Sequence, residues 1–149
     1  MRRSISMAVT LAAAVALGGC GSRRHQTSDV RHYSSAQAIA DALTKAGLTV
    51  SMLHKQTEES YISQVGGTAY DFTVTDKAGM PAGGDSGINM FPNREALTTW
   101  AGLSKGMGGI AVTGDTWAVS LATSSATARA DSQRIAPKIA RALEGTVQR

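Results

Sequence analysis

Apolar residues recur at helical spacing in three stretches of this chain and alternate in the segments between them. The first helical stretch follows Ser34 and Ser35. Ala36, Ile39, Ala40 and Leu43 fall on one face, as a half-buried helix requires. Ser34 with Gln37 fits a capping box, in which each side chain covers an orphan backbone N–H. Asp41 and Lys45 stand four apart in the favourable order for an ion pair. Gly47 suits a left-handed cap. Leu48 to His54 then reads as a strand, with Val50, Met52 and His54 on one face. Thr57 to Gln64 fits either a helical turn or a loop. Thr68 to Thr75 alternates and places Tyr70, Phe72 and Val74 together.

Glycines and a proline between Asp76 and Gly87 predict a loop, followed by a short strand over Ser86 to Phe91. Asn93 is the expected N-cap of the second helix. Its predicted buried stripe is Ala96, Leu97, Trp100, Ala101, Leu103 and Met107. Gly109 to Thr113 and Thr116 to Ala122 form a predicted hairpin about Gly114-Asp115, a dipeptide suited to positive φ. Trp117 is expected in the core rather than as a ligand platform. A last helix carries Ile135, Ala136, Ile139, Ala140 and Leu143 on one face. Pro137 lies inside it and should kink or restart it, because proline has no backbone donor. The order α-β-β-β-α-β-β-α predicts an α+β fold: a mainly antiparallel sheet of about five strands, with three helices on one face. The strand–helix–strand step through the second helix should be right-handed if its strands are parallel neighbours.

The beginning of the chain follows a different pattern. Arg2 and Arg3 precede an apolar run from Ile5 to Leu17, which Gly18, Gly19 and Cys20 close. A charged start, a short apolar run and small residues describe a secretory signal. The run is shorter than the roughly 20 residues a spanning helix needs. Leu17-Gly18-Gly19-Cys20 resembles the bacterial lipobox. That resemblance implies cleavage before Cys20 and a diacylglycerol on its thiol, and two acyl chains give stable membrane anchoring. The expected organisation is a signal over 1–19, a lipidated flexible tether over 20–33 and one α+β domain over 34–149. Thirteen flexible residues, 21–33, would span on the order of 20 Å.

The formal net charge of +4 raises nucleic acid as a partner, but the positions of the charges argue against it. Arg2, Arg3, Arg23, Arg24 and Arg31 face only Asp29 before residue 34, whereas ten Lys/Arg and ten Asp/Glu follow from Ser34 onward. A nucleic-acid binder needs its basic patch on the folded domain, so no nucleic-acid partner is expected. Arg23, Arg24 and Arg31 fit either contact with anionic lipid headgroups or a solvated basic tether. Cys20 is the single cysteine. Once it is lipidated, no disulfide, thiol nucleophile or cysteine metal site remains.

Chemistry-bearing motifs are sparse. His54 is the only histidine after residue 34, and Glu58 and Glu59 near it are a weak metal signal. The glycines at 106, 108 and 109 follow a helix where a phosphate cradle would precede one, and no Lys-Ser/Thr ending accompanies them. No catalytic residue, metal ligand or cofactor is assigned, and the chain is not read as an enzyme.

Ile39-Ala40-Asp41-Ala42-Leu43-Thr44-Lys45-Ala46-Gly47-Leu48 and Gly109-Ile110-Ala111-Val112-Thr113-Gly114-Asp115-Thr116-Trp117-Ala118-Val119, with the lipobox ahead of them, resemble small secreted lipoproteins of actinobacteria. That family has no assigned activity, so the resemblance implies an envelope location and carries over no catalytic residue. Members that carry a cysteine pair in the early strands differ from this chain, which has none. The reading is a lipid-anchored extracytoplasmic module on the cell membrane that binds an envelope protein or extracellular ligand. The alternative is an extracytoplasmic enzyme. A pocket joining His54, a carboxylate and a serine would favour the enzyme; an exposed apolar patch near Gly114-Asp115 would favour the binder.

Overall fold

One antiparallel sheet of six strands organises the chain in a computed structural model that describes residues 31–76 and 86–149. The expected signal, the lipidation site Cys20 and most of the expected tether lie outside the described residues. So do residues 77–85 of the predicted loop. In chain order the elements are α1 (Ala36–Lys45), β1 (Thr49–Val50), β2 (His54–Lys55), α2 (Tyr61–Gln64), β3 (Thr68–Phe72), β4 (Val74–Thr75), β5 (Ser86–Met90), α3 (Arg94–Gly106), β6 (Ile110–Thr113), β7 (Trp117–Leu121), α4 (Ala126–Leu143) and β8 (Thr146–Gln148). The sheet order is β2-β3-β5-β7-β6-β8, and β1 and β4 form a separate antiparallel pair. The α+β class and the antiparallel sheet agree with expectation. The described residues hold four helices rather than three, and more strands than five.

Alternation along the strands sorts side chains onto two faces. On the first face, Phe72, Val74, Ile88, Val112, Trp117, Val119 and Leu121 meet Ile39 and Leu43 of α1 and Ile135, Ile139 and Leu143 of α4. On the second, Ala69 and Ala118 meet Ile62 of α2 and Ala96 and Leu97 of α3. Helices therefore cover both faces, not one. A single-face layout would have left Ala69 and Ala118 without apolar partners. The step from β5 through α3 to β6 does not join neighbours, because β7 lies between those two strands.

Several local expectations hold. Asn93 caps α3, accepting a backbone N–H three residues on. Gly47 adopts φ 88°, the left-handed region that glycine enters without strain. Within Thr57 to Gln64, Tyr61–Gln64 forms a short helix, α2, under a Ser60–Ser63 capping box. The capping box expected from Ser34 and Gln37 does not form. Ser35 is the cap instead, accepting from the Ala38 N–H, so Gln37 falls one position short and donates to Asp41 Oδ1 at 2.9 Å; the expected Asp41–Lys45 pair is not among the ion pairs of the described residues.

The predicted strand over Leu48 to His54 is broken by a bulge. Three residues separate Val50 from His54, while only two separate their partners Val74 and Asp71. The extra residue reverses the parity of the strand. Val50 and Leu53 pack against the first-face core, whereas Met52 is 77% exposed and His54 turns to the second face beside Asp71.

The packed domain begins before Ser34. Trp117 is fully buried; its Nε1 donates to the Arg31 carbonyl at 2.9 Å, and Tyr33 meets the indole edge-on at 5.5 Å. Tyr33 is only 8% exposed and belongs to the core, so it is part of the packed domain rather than of the expected tether. Neither Gly114 nor Asp115 has the positive φ expected of the turn; Gly114 and Gly145 instead press on the same ring, where a Cβ on Gly114 would come within 2.0 Å of it and one on Gly145 within 2.8 Å.

The last helix runs unbroken from Ala126 to Leu143 through Pro137. Pro137 and Gln133, the residue whose carbonyl it leaves free, are both exposed, so water can take that hydrogen bond. Glu144 turns the chain at φ 54°, and the unanticipated strand β8 follows, pairing with β6.

Candidate functional site

The second face is the less completely covered one, and α3 determines its shape. Successive α-helical residues advance by about 100°, so positions 96, 100, 103 and 107 lie on one flank and 94, 98, 101 and 105 on the other. Only Ala96 and Leu97 are buried; Trp100 packs partly, its ring 5.6 Å from that of Phe91. Leu103 is 52% and Met107 81% exposed. The expected burial of Ala101, Leu103 and Met107 is thus corrected. A helix seated through one narrow line of contacts leaves the rest of its apolar stripe in solvent. Periodicity reports which residues share a flank, and not whether a neighbour exists to cover them.

The opposite flank borders a groove of about 420 Å³ beside the Gly114-Asp115 turn. Leu97 and Ala101 line its helix side, and Thr113, Gly114 and Gln148 line its sheet side. Arg94 and Asp115 stand at one end and Lys105 at the other. The groove is partly apolar with a few polar groups converging on it, the general character of a ligand site.

Asp115 is the fixed point of this region. Arg94 Nε donates to its Oδ1 at 2.6 Å, and His32 Nδ1 lies 3.3 Å from its Oδ2. The hydrogen bonds from Arg94 and then from His32 hold the Asp115 carboxyl below its ordinary range, against a smaller opposing effect of desolvation. One carboxylate thereby ties the hairpin to α3 and to the incoming N-terminal segment. At the far end of the domain Asp76 plays a similar part. Its side chain is 5% exposed, receives Arg134 at 2.5 Å and is also bonded by Lys138. That contact raises the Arg134 guanidinium above its ordinary value.

His54, a carboxylate and a serine do come onto one face. Registers pair His54 with Asp71, Asp71 with Gly87, and Gly87 with Ser120. Their order is unsuited to a nucleophilic relay, which needs the imidazole between acid and hydroxyl. Here the carboxylate lies between them, and Ser120 is three strands from His54, about 14 Å at the usual strand spacing. Asp71 Oδ1 accepts from Gln56 Nε2 at 2.6 Å; Ser120 Oγ accepts from Asn89 and donates to the Gly87 carbonyl. Among the described residues no three His, Cys, Asp or Glu side chains converge as metal ligands. Glu58 and Glu59 line a separate surface hollow with Lys55 and Asp71.

No helix among the described residues is long and apolar enough to cross a membrane. Compared with family models, curated proteins and solved structures, the chain matches none. The groove residues Arg94, Lys105, Thr113 and Gln148 were not singled out by the sequence. Each is unremarkable within its own element, and only the approach of α3 to β6 and β8 brings them together.

Proposed function

We propose that this protein is a lipid-anchored extracytoplasmic lipoprotein of the cell envelope, akin to the small secreted actinobacterial lipoproteins, and that it works as a binding or accessory module. Leu17-Gly18-Gly19-Cys20 supports the anchor, with Cys20 as the acylated residue. The observation that carries the binding role is α3, which leaves Leu103 and Met107 in solvent on one flank and borders an open groove on the other. Large apolar side chains grouped on an exposed helix mark an interaction surface. The partner is an envelope protein or extracellular ligand, and neither nucleic acid nor a cofactor is invoked. The alternative, an extracytoplasmic enzyme, has less support, because the order of His54, Asp71 and Ser120 does not suit a relay.

Two measurements test the proposal. Labelled fatty acid should appear on the full chain and not on Cys20→Ala; label on the variant would refute the anchor. A photo-crosslinker replacing Met107 in the membrane-bound protein should yield a discrete adduct, and one replacing Gln133, exposed on α4, should not. Equal yields from both positions would refute α3 as the binding surface.

A further inference from the structure

The two edges of the sheet are finished differently. Edge strand β2 has two residues, carries His54 and Lys55, and follows a bulge. Charge, shortness and a bulge are the usual guards against strand addition. Edge strand β8 is Thr146–Gln148, with no charge, no proline and a regular three-residue register to β6. Its outer side has no strand partner among the described residues. The groove opens on the second face immediately above this edge, with Gln148 of β8 in its wall.

From this juxtaposition we propose that β8 accepts an extended acidic–apolar peptide segment as an added strand, whose alternate side chains enter the groove along α3. The inference rests on the binding-module reading and names the ligand class. Strand addition takes affinity from main-chain hydrogen bonds and specificity from pockets that receive every second side chain. Leu97 and Ala101 provide an apolar centre for one such side chain. Lys105 makes no ion pair among the described residues. Arg94 engages Asp115 through Nε and Nη2, which leaves Nη1 for a second acceptor. These cations stand eleven positions apart on α3, about 16 Å along its axis. Acidic groups four residues apart on an extended chain are separated by about 13 Å, a spacing their side chains can extend to that distance. With Asp115 counted, the groove lining carries a net charge of +1, complementary to an acidic segment.

The test uses the isotope-labelled full chain in neutral detergent. The probe is a short peptide in which threonines alternate with glutamate, valine and glutamate, and a lysine-for-glutamate peptide is the control. Strand addition should shift the amide signals of Thr146, Val147 and Gln148 together with those of Ala101 and Lys105. Binding should weaken at least tenfold for the control peptide, for Lys105→Glu, and for Ala101→Trp, which fills the groove without altering β8. Shifts confined to the groove, equal binding of the control, or no shift at millimolar peptide would each overturn the proposal. The acylation and Met107 crosslinking results would stand apart from any of these, so this inference can fail while the anchored-module reading survives.

Discussion

The two faces of the sheet are packed by different rules. On the first, long aliphatic side chains from α1 and α4 interlock with every strand they cross, and the N-terminal segment closes the layer at Trp117. On the second, Ala69, Ala96 and Ala118 meet Ile62, Phe91 and Leu97 in a smaller cluster, and α3 leaves Leu103 and Met107 exposed. The number of covering elements accounts for the difference. Two long helices and the N-terminal segment close the first face, whereas α3 and the short α2 cover only part of the second. The first face is closed by packing, and the second keeps a groove and exposed apolar side chains.

The widest separation between the faces should appear in core truncations. Ile139→Ala should lower stability by about 2–5 kcal/mol, through lost burial plus the cavity left behind, measured by denaturant unfolding. A loss below 1 kcal/mol would mean that the first face is not the stabilising one. Next in size, Pro137→Ala should raise stability by about 1–3 kcal/mol, because it restores a backbone donor and removes a ring clash in the helix interior. Unchanged stability would show that the α4 backbone already relaxes around the proline.

Asp115 connects the two faces, since it bonds His32 from one and Arg94 from the other. Its carboxyl is held below the ordinary range, so it stabilises the fold above that range and loses this effect as pH falls through the lowered folded value. Asp115→Asn should therefore be less stable than the parent at neutral pH, and the difference should vanish in acid. A difference that persists after full protonation would assign the effect to shape rather than charge. The smallest effect is expected on the open flank. Leu103→Ala should change stability by no more than about 0.5 kcal/mol, yet reduce crosslinking from Met107. A large destabilisation would mean that Leu103 is packed after all.

Much of this architecture was legible in local pattern. The cap residue Asn93, the left-handed Gly47, the alternation of Tyr70, Phe72 and Val74, and the strand pair on either side of Gly114-Asp115 follow from chemistry that acts within a few residues. The lipobox reading is local in the same way and remains a proposal about Cys20. Other features depended on what lay across the fold. The bulge that turns His54 away from Val50 exists only relative to the register of the partner strand. Tyr33 reads as tether until Trp117, far along the chain, offers it a ring and Arg31 a donor. Leu103 and Met107 have the spacing of a buried stripe, but burial requires a neighbour, and none covers that end of α3 among the described residues. The groove shares this origin: Arg94, Lys105, Thr113 and Gln148 belong to three different elements, and only tertiary packing sets them around one space. Sequence by itself determined the period, caps and turns, because those energies are local; tertiary structure alone decided what is covered, because burial is a property of two surfaces at once.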